Sequence, residues 1–169
     1  MDQCERARLT GTIEVALPPE QAFSLFTPSG ERSWVDGWDP EFPSPSHDET
    51  EPGSVFTTEH GGRRTTWTGV RREWFAAIAY TSVTPGERAG LVSVTLSPAG
   101  AGTTVTVSYD LTALTPQANP ALRAFAAHFH PFLDGWQDAI SRSLAGNQRR
   151  RPHAARAESE HGTAAFPVT

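Results

Sequence analysis

A chain of 169 residues that is 37% apolar, with a mean hydropathy of −0.41, is long enough for one domain with a real core, and no stretch reaches the length of a membrane span. It contains no Lys, which removes Schiff-base chemistry, lysine bases and the P-loop, and its single Cys4 leaves no disulfide, paired-cysteine redox motif or Cys-rich zinc site. The net charge is −5, and the residues before Asn147 hold ten Arg against seventeen acids, a balance that argues against a phosphate-backbone partner.

The charged start, Met1 to Arg8, has no apolar run behind it, so neither a signal peptide nor a membrane anchor is expected and the protein is placed in the cytoplasm. Leu9 to Leu17 alternates, with Ile13, Val15 and Leu17 on one face, and reads as a first strand. Pro18-Pro19-Glu20 suits a helix start, because a first turn tolerates proline's fixed φ and missing N–H. Ala22, Phe23 and Phe26 share a face of that short helix, and Ser29 to Val35 reads as a second one. From Asp36 to Pro52 the chain is a long loop rich in Pro, Asp, Glu and Ser, with a short edge strand expected near residues 41–46. Its acids read as solvation of the loop.

Five β segments follow. Residues 53–60 and 63–71 flank Gly61-Gly62, a two-residue connection that accepts the positive φ of hairpin turns. Residues 74–83 and 89–96 flank Pro85-Gly86, suited to a type II turn. The last strand, 103–111, places Val105, Val107, Tyr109 and Leu111 on one face. Asn119-Pro120 then supplies an N-cap and a first-turn proline, and Gly146 a stop, for a helix of about 26 residues or roughly 39 Å. Along it Leu122, Phe125, Phe129, Phe132, Leu133, Trp136, Ile140 and Leu144 form one apolar face. Pro131 interrupts the hydrogen-bond ladder and predicts a kink over 127–131. The expected organisation is a flexible terminus over 1–8, one domain over 9–146, and a disordered basic tail over 147–169 in which Arg149-Arg150-Arg151 reads as solvated.

The order of strand, two short helices, antiparallel meander and long closing helix resembles the helix-grip fold of the START-like or SRPBCC superfamily. Residues Ile13 to Phe23 resemble its strand-then-proline opening, in which a helix-borne Phe plugs the core. Gly135-Trp136 followed by Ile140 and Leu144 resembles the closing helix of the branch that holds the Hsp90 ATPase activator homologues and polyketide cyclase-like proteins. The resemblance spans about residues 9–145, from which Pro131 departs. It implies an α+β fold: a curved antiparallel sheet of six to seven strands, two short helices after the first strand, and a C-terminal helix packed across the sheet.

A cavity between that helix and the sheet is then expected. Its walls would be drawn from Trp34 and Trp38 at the loop and Phe56, Trp67, Ile78, Tyr80 and Tyr109 on strands. Phe125, Phe129, Phe132 and Trp136 would close it from the helix, although each aromatic also fits plain core packing. Strand alternation points Tyr80 and Tyr109 inward, where a phenol could orient a ligand. His60 and His128 are candidate polar orienters. His128 and His130 fall about 100° to either side of the aromatic axis, so they cannot share one metal, and no metal or cofactor is expected. Glu59 is expected to point outward.

Three functions compete. The first is binding of a hydrophobic or aromatic small molecule, lipid or polyketide-like, in the cavity. The second, implied by the resemblance, is a polyketide cyclase or dehydratase type of enzyme with Tyr80, Tyr109, His60 or His128 moving a proton. The third is a co-chaperone-like domain that binds a protein. Neither nucleic acid nor membrane insertion figures in any of them.

Overall fold

The computed structural model describes residues 3–45 and 47–159, with side chains described as far as residue 150. Six strands form one antiparallel sheet: β1 (Arg6–Val15), β2 (Val55–His60), β3 (Arg63–Glu73), β4 (Ala77–Thr84), β5 (Arg88–Ala99) and β6 (Gly102–Ala113). Their spatial order is β1-β6-β5-β4-β3-β2, so the chain lays an edge strand first and then returns from the far edge as a meander. Between β1 and β2 lie helix α1 (Pro19–Ala22), two 3₁₀ turns over Phe23–Phe26 and Gly30–Ser33, and the acidic loop. Helices α2 (Asn119–Ala127) and α3 (Phe129–Ser159) follow the last strand.

Turn chemistry places the strand ends where it was expected to. Gly61 and Gly62 adopt φ of 57° and 75°, the left-handed pair that a two-residue hairpin demands. Val70 is the extra residue of a bulge that shifts the β3–β4 register between Gly69 and Arg71. Residues 74–76 are not strand, because Phe75 takes φ of 64° and the Ala76 amide bonds the Glu73 carbonyl at 3.0 Å, so the chain turns before β4 begins.

β1 begins at Arg6, three residues earlier than the alternation suggested. Arg6 pairs both guanidinium donors with Asp110 at 2.7 and 2.6 Å, and its backbone continues the ladder opposite Thr112. Asn119 does not cap the following helix. Its side-chain amide bonds the Gln3 carbonyl and its oxygen accepts from the Glu5 amide, both at 2.9 Å, which fastens the N-terminal segment instead. The expected edge strand over 41–46 reduces to one bridge between Glu41 and Thr57, and Ser46 lies outside the described residues.

The kink forms where Pro131 predicts it. His128 leaves helical geometry at φ −106° and ψ 15°, and Pro131 has no N–H to return to Ala127. Gly146 does not stop α3, which continues to Ser159; φ at Gly146 is not positive, and a glycine terminates a helix only when it turns left-handed. The helical path replaces the disorder expected over 147–159, and 160–169 lie outside the described residues.

The core sits between α3 and the inner face of the sheet, with Ile13, Val15, Phe23, Phe26, Phe56, Ile78, Val105, Val107, Phe129, Leu133 and Ile140 all buried. Gly11 on β1 permits the close seating of the helix, since a Cβ there would stand 2.5 Å from the Leu133 side chain. Replacing Phe129 with Ala should therefore cost about 3–5 kcal/mol in urea denaturation, the range of a large-to-small change in a packed core. A loss below about 1.5 kcal/mol would mean the site collapses or hydrates freely.

Candidate functional site

A chamber of about 320 Å³ lies between the sheet, α3 and the segment 28–38. That is near the lower end of the roughly 300–1,000 Å³ typical of small-molecule sites. Two aromatic groups make its walls. On one side the Phe56 and Trp67 rings stack at 5.8 Å with planes 5° apart, while Trp38 and Tyr80 meet Phe56 edge-on at 6.2 and 5.6 Å. On the other, Tyr109 packs against Phe132 at 6.0 Å and Trp136 at 6.5 Å. Val92 and Val94 of β5 form the floor, and the exposed residues Asp36, Gly37, Glu59 and His60 stand at the rim. A larger space of about 910 Å³, between Leu17, Leu25 and Leu144, is an open groove lined in addition by Ser24, Ser29 and Arg32.

Of the residues expected to wall a cavity, Trp38, Phe56, Trp67, Tyr80, Tyr109, Phe132 and Trp136 come together here, with His60 beside them. The others do not. Trp34 turns into the core, where its indole N–H donates to the Leu25 carbonyl at 2.8 Å and its ring meets Trp136 edge-on. Ile78 and Phe129 are close-packed core, 1% and 2% exposed. Phe125 packs tilted against Tyr109 and edge-on against Phe132 and does not line the space. His128 sits at the kink, exposed, with Nδ1 3.0 Å from the Ala124 carbonyl oxygen, and so lies outside the chamber. Glu59, expected to point away, contributes to the rim and stands 3.6 Å from Arg64.

The loop acids are more than solvation. Glu49 accepts from the Ser29 amide at 3.0 Å and its hydroxyl at 2.5 Å, Asp48 accepts from Thr50 and pairs with Arg72, and Arg32 bonds Asp39 at 3.0 Å. Trp38 is held by its indole N–H donating to the Pro28 carbonyl at 2.8 Å. These ties fix the roof of the chamber. The hydrogen bond from Thr50, helped by Arg72, holds the Asp48 carboxyl below its ordinary range.

Two ionisable residues that no motif marked also face the space. Glu31, in the second 3₁₀ turn, lines it without a hydrogen-bond or ion-pair partner among the described residues, and desolvation pushes its carboxyl well above the usual carboxylate range. Arg88 opens β5 with its guanidinium carbon 4.9 Å over the Phe125 ring and no carboxylate in reach among the described residues. Burial raises the phenols of Tyr80 and Tyr109, the negative field of Glu31 adds to both, and Arg88 opposes the rise at Tyr109. The Tyr80 hydroxyl is already committed, donating to the Phe26 carbonyl at 3.1 Å.

A single helix gripping a six-stranded antiparallel sheet, with two short helical turns after the first strand, defines the α+β helix-grip architecture. Residues 6–149 match the family model described as polyketide cyclase / dehydrase and lipid transport, and the chain belongs to that family. Among solved structures it is similar to an uncharacterized protein from Rhizobium leguminosarum, with 17% identity over 83% of this chain and 97% of the other and a TM-score of 0.61. It is also similar to CalU16 from Micromonospora echinospora, with 18% identity, 92% and 97% coverage and a TM-score of 0.55. A third neighbour is Aha1 from Colwellia psychrerythraea, solved as a dimer, with 14% identity, 79% and 96% coverage and a TM-score of 0.56. At these identities the likeness is one of fold. No curated protein matches the chain. Among the described residues no helix is long and apolar enough to cross a membrane.

The Glu31 carboxyl leaves a signature in stability. Its folded-state pKa lies above the ordinary 4.5, so the folded protein holds a proton that the unfolded chain has released, and stability falls as pH climbs above 4.5 until the raised pKa is passed. Asp48 and Asp110 act in the opposite sense and only below their ordinary 3.8. Thermal melts of Glu31→Gln against the parent should therefore coincide in trend near pH 4 and show the variant gaining steadily above pH 4.5. A difference that does not change with pH would place the carboxyl in water.

Proposed function

We propose that the protein encloses one hydrophobic, aromatic small molecule, lipid or polyketide-like, in the chamber beneath Trp38 and Trp136. The observation that carries this reading is a space of about 320 Å³ whose walls include seven aromatic side chains and whose few polar groups come from separate elements. Flat rings gain dispersion and hydrophobic energy against such walls, and Trp38 and Trp136 are half-buried at the chamber. The family's description, cyclase or dehydrase and lipid transport, is compatible with either holding such a molecule or acting on it.

An enzymatic version of this reading is favoured by one feature, the partnerless acid at Glu31 with His60 at the rim. Acid–base work is helped by a group whose pKa is moved toward the working range, and burial pushes the Glu31 carboxyl upward in the same chamber that His60 borders. A domain that only docks another protein would have little use for an aromatic-walled chamber of this size.

Native mass spectrometry of protein purified from its own host should reveal a bound lipophilic mass, and a panel of aromatic and lipidic ligands should raise the melting temperature. Trp38→Ala, which opens the roof, should weaken the best of these ligands by about tenfold or more, the scale of a buried aromatic anchor. Bare polypeptide in the spectrometer together with no stabilisation by any ligand would overturn the proposal.

A further inference from the structure

Among the described residues, no side-chain oxygen or nitrogen that is sealed from solvent lacks a hydrogen-bond partner. The sealed interior is thus satisfied, whereas the chamber holds polar groups that are not sealed. There, besides Asp36 at the exposed rim, two oxygen-bearing groups have no partner among the described residues: the Glu31 carboxyl, from the 3₁₀ turn before the loop, and the Tyr109 hydroxyl, from β6. Tyr80 differs, since its hydroxyl is spent on Phe26. An unpartnered carboxyl beside stacked rings costs free energy, and nothing in the packing of this fold requires an acid at that place.

We infer that Glu31 and Tyr109 together form a two-donor clamp for one oxygen of the bound molecule, the carbonyl of an aromatic ketone or quinone, with Arg88 supplying favourable charge beside it. This rests on the reading that the chamber holds a small molecule and adds the group by which that molecule is oriented. Glu31, Tyr109 and Arg88 line the same chamber, and desolvation there favours the neutral carboxylic acid of Glu31 and the neutral phenol of Tyr109, each of which carries an O–H donor. A protonated carboxylic acid and a phenol converging on one oxygen is a known physical solution for polarising a carbonyl in an apolar site. A carboxylate ligand fits less well, because it would face the negative end of any Glu31 that ionised. A plain hydrocarbon would leave both donors unsatisfied.

The experiment uses a matched pair of probes, 2-acetonaphthone and 2-isopropenylnaphthalene, which differ in having C=O or C=CH₂ at the same position. Binding to the full chain is followed by quenching of tryptophan fluorescence, and the stretch of a carbonyl-¹³C ketone is read by infrared difference. The ketone-to-alkene affinity ratio should fall about tenfold in Tyr109→Phe and in Glu31→Met, and survive in Glu31→Gln, whose amide still donates. The carbonyl stretch should move to higher wavenumber in the first two variants and not in the third. Glu31→Gln and Tyr109→Phe preserve shape, which separates the result from any failure of the Met variant to fold. A ratio and a stretch unmoved by either replacement, with both probes still bound, would overturn the clamp alone. Failure of both probes to bind the parent protein would overturn the chamber reading and the clamp with it.

Discussion

The seating of α3 on β1, at one edge of the sheet, is the contact on which the rest depends. Gly11 removes the side chain that would hold the helix away, Leu133 enters the space, and Gln137 accepts the Glu14 amide at 2.8 Å to fix the helix along the strand. A straight helix pressed against one edge of a twisted sheet diverges from the opposite strands. The gap opens over β2 to β6, where the chamber lies. Close packing at one edge and emptiness at the other are two results of the same constraint.

That gap would fill with water or collapse without a roof. The roof is an acidic, proline-rich loop, a composition with little intrinsic order, so it must be held by specific bonds. Glu49 to Ser29, Trp38 to Pro28 and the pairing of Arg72 with Asp48 and Thr50 supply them, joining the loop to the helical turns on one side and to β3 on the other. Surface pairs alone contribute little, about 0–1 kcal/mol each. Here their worth is geometric, because they decide where Trp38 stands.

Much of this was legible in the chain before any coordinates. Strand alternation around Val105 to Tyr109, the Gly61-Gly62 turn and the aromatic stripe of the closing helix are local signals with periods of 2 and 3.6, and the fold obeys them. The kink at His128 followed from Pro131. Sequence reading failed where a residue's role depends on contacts distant in the chain. Asn119 looks like a helix cap until the N-terminal segment arrives to claim its amide, and Trp34 looks like a rim residue until Leu25 offers a carbonyl. Glu31 lay in a polar stretch too short for periodicity. Its signal was the spacing to Val35, four residues on, whose amide bonds the Glu31 carbonyl at 2.8 Å and which shares the chamber wall. Arg88 was similarly readable as the residue that precedes Val92 and Val94 on one strand face.

The distribution of unsatisfied groups then bears on what the chamber is for. Thr103, fully buried, donates to Leu17 at 2.7 Å, and buried Tyr80 and Trp34 each find a carbonyl, so among the described residues the polar atoms sealed in this core are satisfied. A carboxyl, a phenol and a guanidinium that lack a hydrogen bond among the described residues therefore stand out at this one chamber. They come from three separate elements, a 3₁₀ turn, β6 and the start of β5, and their only common feature is the space they face. Aromatic walls alone would make a carrier indifferent to chemistry. On the proposed reading, three polar groups held among them on rigid elements would distinguish one end of a ligand from the other, and that distinction is the first requirement for orienting a reactive molecule as well as for choosing which molecule to hold.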